Sequence, residues 1–188
     1  MDLGKQNILF FTRTMMLGGT ENVVLQLCEV FKPKVNKIVV CSCGGVNVEK
    51  LTEMGIRHYQ IPDISSKKDM FKICRTVKKI VEKEQITVIH SHHRMAAFYT
   101  EILFGSSIIK IANAHNTFFD KKLLTKFVYK HTKVIAVGEM VKKNLVDYFK
   151  IPEKQVSVIH NAVKPFDGNY LEDKYIRKLH DDGNFVVG

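Results

Sequence analysis

Short apolar runs recur along this chain, each followed by a segment whose apolar residues return every three or four positions. That alternation leaves few folds open. Residues 7–11, 37–41, 57–61, 87–91, 107–114, 133–137 and 156–159 read as strands, and residues 23–31, 48–54, 66–84, 95–104, 121–130 and 139–149 as helices. Segment 66–84 carries the clearest period: Met70, Ile73, Cys74, Val77, Ile80 and Val81 recur at helical spacing, with Lys68, Lys72, Arg75 and Lys79 elsewhere around the barrel. Strands that are apolar throughout and joined by helices pair in parallel and are covered on both faces. The expected class is α/β, a Rossmann-like, mostly parallel sheet with helices on both faces.

A chain of 188 residues with 45% hydrophobic residues can bury one sizeable core and is short for two. Its last residues suggest more to come: 174–183 read as a polar linker and 184–188 as the opening of a further buried strand. The expectation is an N-terminal domain over residues 1–170, then a linker and the start of a truncated second domain over 171–188. No apolar run reaches the length of a membrane helix and the first residues lack a signal peptide's pattern, which points to the cytoplasm. Cys28, Cys41, Cys43 and Cys74 fall in or beside apolar elements without metal-ligand spacing, in keeping with that compartment.

Twenty-nine basic against nineteen acidic residues give a net charge of +10, which favours an anionic partner. No RNA-binding motif, zinc-finger spacing or basic zipper is present, so nucleic acid is not expected. A membrane surface or a phosphorylated ligand remains. The Lys- and Arg-rich helix over 66–83 is the first expected contact with an anionic membrane and segment 121–133 the second. In the latter, Lys122, Lys126, Lys130 and Lys133 occupy one side and Leu123, Leu124, Phe127 and Val128 the other, the pattern either of an interfacial helix or of an ordinary helix with its apolar side on the sheet.

In a sheet of this kind ligands bind beyond the carboxyl ends of the strands, near the reversal in strand order. The residues to weigh are therefore those just after each strand. After the first come Gly18 and Gly19, then a helix whose N-terminus directs free N–H groups outward, a spot suited to phosphate. Glu21 sits in the first helical turn, where it either complements the helix dipole or accepts a hydrogen bond from a substrate hydroxyl. The glycines do not form the dinucleotide fingerprint, the second strand ends without an acid, and no Walker lysine is present. His90, His92 and His93 close the fourth strand beside Arg94, and His115 and Asn116 close the fifth. Alternation sends His90 and His92 to one face. The H-x-H spacing lacks an evident acidic ligand, so no metal is expected. Contact of His92 or His93 with a sugar or phosphate fits better, because neutral imidazole both donates and accepts. A histidine simply satisfied at a strand end stays open for His90, His131, His160 and His180.

Taken in order, Gly18-Gly19-Thr20-Glu21, Val88-Ile89-His90-Ser91-His92, Ala114-His115-Asn116, the run from Val134 to Leu145 and the run from Ile151 to Val163 resemble the N-terminal domain of family 4 glycosyltransferases. Two positions depart from that family: Gly138 stands where serine is usual, and Asn161-Ala162-Val163-Lys164 where an Asn-Gly-Val-Asp-like sequence is. The resemblance implies the first half of a GT-B fold, whose second half holds the nucleotide-sugar. It also implies a retaining transfer of sugar from a nucleotide donor to a hydroxyl, without metal or other cofactor, in surface polysaccharide or glycolipid synthesis. It assigns His92 as the catalytic contact to the transferred sugar, and Gly18, Gly19, Glu21, His93, His115 and Asn116 to substrate binding. The alternatives are a sugar-nucleotide epimerase of similar build and a non-enzymatic anion- or membrane-binding module.

Overall fold

A computed structural model describes residues 2–163 and 173–185. Strands β1 (Asn7–Phe11), β2 (Lys37–Ser42), β3 (Arg57–Gln60), β4 (Val88–Ser91), β5 (Ile109–Ala114), β6 (Lys133–Ala136) and β7 (Val156–Val158) alternate with helices α1 (Gly19–Phe31), α2 (Val48–Glu53), α3 (Met70–Glu84), α4 (Arg94–Leu103), α5 (Lys122–Val128) and α6 (Glu139–Lys143). Among the described residues these seven strands form one sheet, order β3-β2-β1-β4-β5-β6-β7, with every neighbouring pair parallel. The order reverses between β1 and β4, which is where the strand-end rule places a ligand.

Period-two alternation divides β1 between two cores. Leu9 and Phe11, with Val39 and Ile89, pack under Ile73, Val77 and Ile80 of α3 and Tyr99 of α4. Ile8 and Phe10, with Ile38 and Val40, meet Val24, Leu25 and Cys28 of α1 and Leu51 of α2. Beyond the reversal, Ala112, Ala114, Val134 and Ala136 leave room for Val128, Val141 and Phe149 to settle on the sheet. Phe10 and Phe11 are fully buried, each contributing roughly 2 to 3 kcal/mol by removal from water.

Two helices differ from the sequence pattern. After α6 the chain adds a π turn at Asn144–Tyr148 instead of continuing as α-helix. The stretch read as a linker holds helix α7 (Lys174–Asp181), because Asp173 caps it by accepting from the N–H groups of Tyr175 and Ile176, and Arg177 and Asp181 stand one turn apart. Of the strand expected over 184–188, Asn184 and Phe185 are not in a strand, and residues 186–188 lie outside the described residues, as does Lys164.

Glu84, at the end of α3, fastens the amino edge of the sheet. Its buried carboxylate accepts from Lys37 Nζ at 3.0 Å, Arg57 Nη1 at 2.7 Å and the Tyr59 hydroxyl. Burial alone would raise its pKa, but these donors outweigh burial and hold it at about 2, below its usual 4.5. Its stabilisation is therefore complete above pH 4.5 and is lost as the pH falls toward 2. Glu84→Gln is expected to lower stability at pH 7 by about 2 kcal/mol, a value discounted because Lys37 and Arg57 reach solvent. Urea unfolding measures this, and an unchanged midpoint would remove the anchoring role.

Candidate functional site

At the carboxyl edge, where β1 and β4 adjoin, a cavity of about 660 Å³ opens between the ends of β4 and β5 and the starts of α3 and α5. His92, His93, His115 and Asn116 line it, and from the glycine turn it takes Thr20. The β4–β5 pairing brings the two histidine-bearing loops together, as the strand order requires.

His92 is the most constrained of these residues. Its side chain is 3% exposed, and its Nδ1 lies 3.3 Å from His115 Nε2 with one of the two nitrogens donating. Its Nε2 is buried and finds no hydrogen-bond partner among the described residues. Most buried polar atoms are paired, and this enclosed nitrogen is an exception on a residue that also lines the cavity. His90 lies behind it on the same face, ring centroids 4.4 Å apart, and its Nε2 donates to Asn113 Oδ1 at 2.8 Å. The open alternative for His90, a satisfied strand-end histidine, therefore describes it. Burial drives all three pKa values down: His92 well below its usual range, helped by His90 and His115; His90 to about 4; and His115 below its usual range, with the Glu21 charge opposing the shift. At neutral pH the row is uncharged, and each ring can both donate and accept.

His93 is the N-cap of α4, its Nδ1 accepting from the Met95 N–H at 3.1 Å. Asn116 is exposed at the cavity rim. Glu21 turns back to accept from the Thr14 hydroxyl, which places its charge beside the glycine turn and within electrostatic reach of His115. Gly18 could bear no side chain without displacing the Glu21 carboxylate, whereas the space above Gly19 is open. Neither glycine lines the cavity itself.

Several further residues shape the site. Arg13 and Asp63 form a two-pronged ion pair, Nε to Oδ1 at 3.0 Å and Nη2 to Oδ2 at 2.8 Å, tying the loops after β1 and β3. The Arg94 guanidinium is held in the same way by Asp120 and lies 4.9 Å from the Phe118 ring centre, so it braces the loop after β5. Asn144, in the π turn, completes that brace: its Oδ1 accepts from the Phe118 N–H and its Nδ2 donates to the Phe118 carbonyl. The loop after β2 clasps the loop after β1, with Met15 N–H donating to Gly44 O at 2.9 Å and Asn47 N–H to Met15 O at 2.8 Å. A glycine pair at 44–45 was the one available signal for that clasp.

Among the described residues no three His, Cys, Asp or Glu side chains are grouped so as to hold a metal ion, and no helix is long and apolar enough to cross a membrane.

The model of Glycosyltransferase Family 4 matches residues 17–165. A human phosphatidylinositol N-acetylglucosaminyltransferase subunit is 26% identical over 190 residues, an alignment spanning 91% of this chain and 38% of the human protein. A glycosyltransferase from Rickettsia africae superposes with a TM-score of 0.74 at 18% identity, over 95% of this chain and 49% of that one. Anabaena HepE, solved with UDP and glucose, superposes at 0.70 with 13% identity, over 94% of this chain and 50% of its own. The chain thus spans about half the length of these solved chains, and what they share with it is the fold.

Proposed function

The chain belongs to Glycosyltransferase Family 4, and we propose that it is the acceptor-side half of a retaining GT-B enzyme that moves a sugar from a nucleotide-sugar to a hydroxyl in surface polysaccharide or glycolipid synthesis. The reading takes residues 1–170 as that domain and 171–188 as the passage to a donor-binding half. It is supported by the fraction of each relative that the chain spans, by UDP and glucose bound to HepE, and by the inositol lipid in the human relative's name. The observation that carries it is the pairing of His92 with His115 in the lining of the cavity at the strand reversal, with the enclosed Nε2 of His92 left unpartnered.

In this reaction the acceptor oxygen bonds to the anomeric carbon on the face from which the diphosphate leaves, and the hydroxyl proton passes to the departing phosphate. His92 acts by hydrogen-bonding the transferred sugar and orienting it, not as a covalent nucleophile. With no cofactor invoked, the leaving diphosphate must be stabilised by fixed dipoles and cations. Backbone N–H groups at Gly18 and Gly19 and the start of α1 supply part of that field, and basic side chains of the donor half supply the rest. Arg13 and Arg94 are already neutralised by Asp63 and Asp120. Glu21, His93, His115 and Asn116 are assigned to sugar or acceptor contacts. The enzyme acts in the cytoplasm, at the inner face of the membrane.

In the complete enzyme, His92→Ala is expected to lower kcat by about 10- to 100-fold, the worth of one hydrogen bond made in a dry transition state, while circular dichroism shows the domain still folded. The 188-residue chain alone is expected to turn over no nucleotide-sugar. Normal turnover by the variant, or turnover by the isolated chain, would overturn the reading.

A further inference from the structure

Between the end of β5 at Ala114 and the start of α5 at Lys122 the chain has no regular structure, yet one residue of that loop is fixed at both polar atoms of its main chain. Asn144 does this. Its Oδ1 accepts from the Phe118 N–H at 3.1 Å and its Nδ2 donates to the Phe118 carbonyl at 2.9 Å, the pair of bonds that a neighbouring strand would make. Asn144 is itself buried and opens the π turn, a kind of turn found often at functional sites.

The Phe118 ring is held as firmly as its main chain. The Arg94 guanidinium lies 4.9 Å from the ring centre and is locked in turn, donating to the two Asp120 oxygens at 2.9 and 3.1 Å and to the Thr125 hydroxyl at 3.2 Å. The next residue is tied as well, for the Tyr148 hydroxyl donates to the Phe119 carbonyl at 2.7 Å. None of this buries the ring. Phe118 stays 41% exposed and lines the site cavity with His92, His115 and Asn116. A single exposed apolar side chain is ordinary, but one fixed at main chain and ring gives up its freedom without gaining a core. Such a wall suits a ligand, because a surface already ordered loses little entropy when something rests on it.

A flat apolar ring in a cavity that also offers imidazole and amide groups matches a molecule with apolar C–H faces and a rim of hydroxyls. That description fits a cyclic polyol, either a sugar or a cyclitol. We propose that Phe118 is the platform on which a ring of the hydroxyl acceptor rests, with Asn144 and Arg94 as the positioning residues that hold it. Calling the bound ring an acceptor rests on the transferase reading above; the binding itself does not.

Nuclear magnetic resonance of the 188-residue chain, titrated with myo-inositol or methyl α-glucoside and with sorbitol as the open-chain control, tests the platform. The two rings are expected to shift the Phe118 signals to saturation, and sorbitol to leave them in place. Phe118→Leu is expected to weaken that binding about fivefold, and Phe118→Tyr to retain it. The position is exposed, so both variants keep the fold, as circular dichroism verifies. Asn144→Ala is expected to weaken binding about threefold and to speed hydrogen exchange at the Phe118 N–H about fivefold. No saturable shift with either ring, equal shifts with sorbitol, a Phe118→Leu chain that binds like the parent, or a Phe118 N–H that exchanges equally fast in parent and Asn144→Ala would each overturn the proposal. In the complete enzyme, Phe118→Leu is expected to raise the acceptor KM about fivefold and to spare the nucleotide-sugar KM; an equal rise in both would overturn the assignment to the acceptor. An enzyme that turns over no nucleotide-sugar would overturn the transferase reading and leave the ring-binding result standing.

Discussion

Lowering the pH from 7 to 4 is expected to destabilise the folded chain by about 3 kcal/mol through His90 alone. Its imidazole is buried between Phe10 and His92 and titrates at about 4 in the folded protein, against 6.5 in an unfolded chain. As the pH falls the unfolded state takes up the proton first, so stability is complete above pH 6.5, declines through the interval to 4, and then stops changing on this account. His92, His93 and His115 shift in the same direction and add to the slope. The Glu84 carboxylate acts only below pH 4.5, which leaves the window from 6.5 to 5 to the histidines. Urea unfolding at pH 7, 5.5 and 4.5 is expected to show the midpoint falling by about 1 M. His90→Gln, which keeps a donor for Asn113, should flatten the decline. A midpoint constant from pH 7 to 4.5 would mean that the row is not buried in solution.

Gly45→Ala is expected to cost at least 3 kcal/mol and to lower the melting temperature by about 6 °C or more. Gly45 has a φ of +148°, and any β-carbon there would run into the backbone of Met15 and Met16. That backbone is stitched to the loop after β2 by Met15 N–H to Gly44 O and by Asn47 Nδ2 to Met16 O at 2.6 Å. Relief of the collision must move residues 15–16, and the turn bearing Gly18, Gly19 and Thr20 moves with them. Gly19→Ala, with open space around it, is the comparison and should stay within about 1 kcal/mol. A Gly45→Ala protein that melts like the original would show that the two loops are not clasped.

These two cases mark where the sequence was readable. The parallel sheet and its helices follow from apolar periodicity, because a short apolar run between helical segments needs no long-range information to be recognised as a strand; only β3, an edge strand, has no buried residue. The meeting of His92 and His115 was readable too, since both end strands that pair side by side. The clasp at Gly45 and the Arg13–Asp63 pair were not, because each depends on how two loops from different strands fold over one another. Helix α5 misled for a local reason: a seven-residue helix presents only Leu124, Thr125 and Val128 to the core, so Leu123 and Phe127 are left outside although their spacing suits burial. The π turn hides in a continuing helical pattern, and only the pairing of Asn144 with Phe118 gives it a purpose. In α7, the polar composition concealed a capping aspartate one residue before the helix.

Strand β1 lies inside the sheet and is made before either of its neighbours. Phe11 pairs with Cys41 on one side and with Ser91 on the other, so one edge of β1 stays open until some 80 further residues have been synthesised. At roughly 5 to 20 residues per second that wait is about 4 to 16 s. During it a strand that is apolar from Ile8 to Phe11, with unpaired N–H and C=O groups, is available to any other extended chain. The nascent protein is therefore most exposed to mispairing and to chaperone capture between the emergence of β2 and that of β4. Rare codons or pauses within residues 43–87 would lengthen that interval, whereas pauses after residue 91 would not.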